Sequence, residues 1–130
     1  VSKKSDYYIS KERYYELKHF VKQYPEWERW VMEHMCTLVS IASFEEPLLT
    51  ANISDPTGDL VAKRDLYFRK IDVINRCAIK AVERDWAADL IRNVVNDISY
   101  EKSKFTELMS DYEYRKCYRK FFWLLDKERG

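Results

Sequence analysis

The sequence is short of the residues that break helices and of those that build reactive centres. Only two glycines and three prolines occur in 130 residues. That scarcity argues against a turn-rich β fold, and the plentiful Lys, Glu, Leu and Ala argue for helices. Two histidines, His19 and His34, leave little for a metal site. His34 and Cys36 stand two apart, which puts them on different faces of a helix rather than in one grip. Cys36, Cys77 and Cys117 form no CxxC pair and are odd in number. They read as small thiols in a reducing, cytoplasmic setting. No glycine-rich phosphate loop is present. No Ser or Cys nucleophile has a base in sight, so the expectation is a non-enzyme without cofactor or metal. No apolar run approaches the ~20 residues of a membrane span.

What is present suits one helical domain. Hydrophobic residues make up 46% and charged residues 35%, enough for a packed core. Ser10 can cap a first helix carrying Tyr14, Leu17, Val21 and Tyr24 at helical spacing. Pro25 fits the first turn of a second, with Trp27, Val31, Met35 and Leu38 as its stripe. Residues 1–42 are thus expected as a helical hairpin. Residues 43–55 lack a period and read as a loop; its Asn52-Ile53-Ser54 sequon and Glu45-Glu46 pair carry no function. Asp55-Pro56 is a strong helix start. Leu60, Tyr67, Ile71, Ile74, Ala78 and Val82 then predict a helix near 56–83, about 40 Å long, suited to a bundle spine or a homodimer seam. Three short helical segments follow over 85–127. Asp85 caps the first, with Trp86, Leu90, Val94 and Val95 inward. Phe105, Leu108 and Met109 face the core in the second, and Ser110-Asp111 start the third. The expected fold is all-α, a small bundle of about six helices.

The charge is nearly balanced at +1, but unevenly spread. Residues 1–24 carry six Lys/Arg against three Asp/Glu, residues 25–98 nine against thirteen, and residues 99–130 eight against six. The strongest concentration is DYEYRKCYRKFFWLLD at 111–126. Laid out as a helix, Tyr114, Cys117, Phe121, Leu124 and Leu125 form an apolar side. Tyr112, Arg115, Lys116, Arg119 and Lys120 form another, with four cations in about two turns. Three short helices ending in a basic amphipathic one is the layout of a helix-turn-helix, whose last helix enters the major groove. Lys and Arg neutralise phosphates, Arg grips guanine bidentately, and Tyr reaches phosphate or a thymine methyl.

Several stretches resemble small phage proteins of Gram-positive bacteria, transcriptional regulators of the ArpU/RinA type. These are DYYISKERYYELKHFVKQYPEW at 6–27, SDPTGDLVAKRDLYFRKIDVI at 54–74 and YRKFFWLLDKE at 118–128. The C-terminal part of that family is similar to the last DNA-binding region of sigma factors. The resemblance implies double-stranded DNA as partner and a recognition helix over 112–120. Its DNA-facing candidates are Arg115, Lys116, Tyr118, Arg119 and Lys120, joined by Tyr112 from the helical layout. Relatives tend to carry a Leu-Gly-Ile-Pro-like turn and consecutive arginines; here the turn reads ELMSDYE and the run RKCYRK. That departure motivates an alternative: a phage protein that binds and inhibits a host machine, such as RNA polymerase or, as an anti-CRISPR, a CRISPR nuclease.

Overall fold

A computed structural model describes residues 7–34 and 56–129, apart from the side chains of Pro56 and Thr57. The fold is all-α, with no strand among the described residues. Among the described residues five α-helices occur, against the about six expected for the whole chain: α1 (Lys11–Lys22), α2 (Tyr24–Glu33), α3 (Pro56–Val82), α4 (Arg84–Val95) and α5 (Asp111–Arg129). Two short 3₁₀ turns, Tyr100–Lys102 and Lys104–Glu107, lie between α4 and α5. The proposed loop at 43–55, Met35, Cys36, Leu38 and the Asp55 cap fall outside the described residues.

The chain divides into two compact units. One combines Val1–Tyr24 with Asp72–Gly130; the other is Pro25–Ile71. In the first unit, Ser10 caps α1 by accepting a hydrogen bond from the Arg13 amide at 3.2 Å. Leu17, Phe20 and Val21 are buried along α1, which packs against α4 and α5. Those helices contribute Leu90, Ile91 and Val94, and Phe121, Phe122 and Leu125, to the same core. The last turns of α3 add Ile74, Cys77 and Ala78. Burial pushes the Cys77 thiol up to about 11, as expected of an inert core cysteine.

α3 and α4 meet at a single residue. Glu83, not Asp85, occupies the cap of α4, at φ 79° and ψ 161°, with no side-chain capping bond. This conformation suits glycine and costs a side-chain-bearing residue of order 1–3 kcal/mol. The joint persists because buried Val82 and Ala87 anchor both sides of it.

The expected middle helix of the 85–127 region is replaced by the two 3₁₀ turns. The cause is local. Glu101-Lys102-Ser103-Lys104 offers no apolar stripe, and Ser103 is extended at φ −107°. Its hydroxyl accepts from the Phe105 amide at 3.2 Å and donates to the Tyr100 carbonyl at 2.9 Å, diverting the backbone from an α ladder. Phe105 is fully buried, whereas Leu108 is 40% exposed and does not face the core.

In the second unit, Trp27 and Val31 of α2 are buried. Trp27 and Trp30 lie 6.3 and 5.4 Å from the Tyr67 ring of α3. Lys63 and Lys70 sit over these rings: Lys63 at 5.1 Å from Trp30, Lys70 at 5.2 Å from Trp27. His34 stacks on Trp30 at 4.3 Å.

Candidate nucleic-acid interface

α5 begins with a reciprocal cap. The Ser110 hydroxyl accepts from the Glu113 amide at 3.2 Å, and the Glu113 carboxylate accepts from the Ser110 amide at 3.5 Å. This is the Ser-x-x-Glu box, and it starts the helix without the glycine that such turns often use. Asp111 and Glu113 in the first turn also complement the helix dipole.

From this fixed start, 100° per residue sets where each side chain goes. Tyr114, Phe121 and Leu125 are buried, as their spacing predicts, and Phe122 joins them. Tyr112 is 77% exposed. Lys116 is exposed, and Arg119 and Lys120 are half-buried. Arg115 is exposed and pairs with Asp111 one turn back at 3.1 Å. Among the described residues, it is the only one of the four cations with an ion pair.

The four cations do not point one way. Arg115 and Arg119, four apart, line a groove beside α1, whereas Lys116 and Lys120 lie outside it. Tyr118 also departs from the DNA-facing expectation. Its position between Tyr114 and Phe122 turns it inward, with its ring 6.0 and 5.1 Å from theirs. Its hydroxyl shares a 2.8 Å hydrogen bond with that of Tyr14 on α1. Burial, reinforced by that bond, raises the Tyr118 phenol far above its ordinary range.

The groove encloses about 570 Å³ between α1, the segment after α4, and α5. α1 supplies Lys11, Tyr14, Tyr15 and Lys18, at spacings of 3, 1 and 3 along one face. None of these was singled out from the sequence as a site residue. Their periodic Lys-Tyr-Tyr-Lys stripe carried the signal, but Tyr14 reads equally well as core. Asp97 also lines the groove, with φ 53° at the end of α4, a conformation that Asp tolerates. Lys18 and Lys22 reach its carboxylate at 2.8 and 2.5 Å. Lys18 first, then Lys22, holds that carboxyl at about 2.

Asn93, 6% exposed, donates from its amide to the Tyr114 hydroxyl at 3.2 Å. Burial raises the Tyr114 phenol, and the Asn93 bond opposes that rise. Among the described residues no group of three or more His, Cys, Asp or Glu gathers to hold a metal. No described helix is long and apolar enough to cross a membrane. No protein-family model matches the chain, and no curated protein or solved structure matches it either.

Proposed function

We propose that this chain binds double-stranded DNA through the cations of α5, Lys116 and Lys120 on its outer surface with Arg115 and Arg119 at the adjoining groove rim, and acts as a phage or prophage transcription regulator. The observation that carries the reading is the set Arg115, Lys116, Arg119 and Lys120 on a capped helix, three of them without an ion pair among the described residues. Lysine and arginine held this way attract phosphate and release its counterions. Exposed Tyr112 at the helix start adds a contact for phosphate or a thymine methyl. The resemblance to ArpU/RinA-type regulators supports the same reading, with Tyr118 serving the helix packing rather than the DNA. Fluorescence anisotropy on a duplex from phage control regions tests it. Four phosphate contacts predict a log–log salt slope of roughly −3.6. Arg115→Ala with Arg119→Ala lowers its magnitude by about 2. A flat salt response, or a double variant that binds as tightly as the parent, rejects the reading.

One observation favours a second reading. The support beneath α5 is built from 3₁₀ turns rather than a helix, and Leu108 and Tyr112 on either side of the turn into α5 are exposed. Exposed apolar and aromatic residues beside cations also suit a protein partner. In that case the chain inhibits purified host RNA polymerase or a CRISPR nuclease at near-stoichiometric amounts, and Tyr112→Ala relieves the inhibition.

A further inference from the structure

The groove between α1 and α5 has a chemistry of its own, apart from the outer surface of the helix. Its volume, about 570 Å³, falls in the range of small-molecule sites, roughly 300–1,000 Å³. Its rim carries Lys11, Lys18, Arg115 and Arg119 against a single acid, Asp97. That acid is already held by Lys18 and Lys22, so it cancels none of the charge of Lys11 or Arg119. Neither of these two has an ion pair among the described residues.

The inner wall is a set of hydroxyl donors. Tyr14 and Tyr118 share one hydrogen bond between two hydroxyls, so one of the two protons is left over. Tyr114 accepts from Asn93, and no described group accepts its own proton in turn. Two phenolic donors therefore face a space whose rim is cationic, and the walls between them are flat tyrosine rings. Cations and spare O–H groups favour a ligand that only accepts, which means an anion. Tyrosine rings favour a flat apolar body attached to it.

We infer that this groove is a binding site for a small organic anion, a planar aromatic body bearing a phosphate ester or a carboxylate. The anion sits among Arg119, Lys11 and the spare hydroxyl protons, and the ring lies against the tyrosines. Arg115 and Arg119 belong to both this groove and the DNA-contact set, but the inference stands apart from DNA binding, because its test contains no DNA and Tyr114 is not a DNA contact.

Isothermal titration of the full chain with AMP, salicylate, inorganic phosphate and adenosine tests it. AMP and salicylate separate the phosphate ester from the carboxylate, and saturable binding of either supports the site. Phosphate and adenosine, each lacking half of the ligand, bind at least about tenfold more weakly, a loss of roughly 1.4 kcal/mol. Tyr114→Phe keeps the ring and removes the donor; Arg119→Gln removes a rim charge. Each weakens binding about tenfold while the helical circular dichroism stays unchanged. Should Tyr114→Phe fold poorly, Arg119→Gln alone decides. The inference is overturned if neither AMP nor salicylate saturates by about 10 mM, if phosphate alone binds as well as AMP, or if Arg119→Gln binds like the parent.

Discussion

Both units place cations over aromatic rings, and they differ in the cations left over. In the second unit Lys63 and Lys70 lie over the faces of Trp27, Trp30 and Tyr67, so each ammonium already has a partner. In the first unit Lys18, Lys127 and Arg129 also lie over rings, but Arg115, Lys116, Arg119 and Lys120 of α5 cap none among the described residues, where three of these four also lack an ion pair. Composition alone makes the two clusters look alike. Geometry separates a cluster whose charges are internally compensated from one whose charges are left for an outside group. This is why the candidate interface is placed on α5 and not on the tryptophans.

The largest expected effect tests whether the first unit's aromatics are true core. Phe105 is fully buried, 4.9 Å from Tyr114 and 5.9 Å from Trp86. Phe105→Ala should cost about 3–5 kcal/mol in urea unfolding. A loss below about 1 kcal/mol would mean that the 3₁₀ segment does not brace α5. Glu83→Gly should act in the opposite direction, raising stability by about 1 kcal/mol through relief of the positive-φ joint. Lower stability in that variant would break the claim of strain.

The next two predictions sharpen the contrast in charge. Asp111→Asn releases Arg115 from its ion pair with Asp111. Exposed pairs are worth roughly 0.2–1 kcal/mol, so DNA affinity should rise by up to about fivefold with little change in stability. An unchanged affinity would remove Arg115 from the contact set. In the second unit, Lys63→Gln with Lys70→Gln should lower stability by about 1 kcal/mol, through loss of the four cation–π contacts that the two lysines make, and leave DNA affinity as it was. A drop in DNA affinity there would dissolve the distinction between the clusters.

The smallest effect is in the acid range. Asp97 in the folded chain is held near 2, below the ordinary value of about 3.9. A depressed carboxyl contributes stability above pH ~4, and that contribution is lost as pH falls toward 2. Asp97 is half exposed, so solvent screening keeps the effect small. Urea midpoints measured from pH 5 to pH 2 should fall less steeply for Asp97→Asn than for the parent. Parallel curves would place the acid sensitivity elsewhere.

Much of the helical frame was legible because it is written locally. Ser10 could be read as a cap, and Ile74, Ala78 and Val82 as an inward stripe, because cap chemistry and helical period depend only on neighbours a turn away. The 3₁₀ turns were not legible in the same way. Ser103 bonds to backbone on both sides, and its neighbours carry no stripe, yet Phe105 and Met109 retain a helix-like spacing that mimics one. The site was half legible. Arg115, Lys116, Arg119 and Lys120 were found on α5, but their division between groove and outer surface depends on α1, about a hundred residues earlier in the chain. Tyr118 was misjudged for the same reason: only the approach of Tyr14 engages its hydroxyl.

That hydroxyl pair makes the protein its own reporter. Loss of a tyrosine proton raises ultraviolet absorbance, and burial with the Tyr14 bond holds the Tyr118 phenol far above its ordinary range. Tyr118, half-buried and bonded to Tyr14, should ionise only as α1 and α5 come apart. The late part of the absorbance rise thus times the opening of the groove, with no label attached.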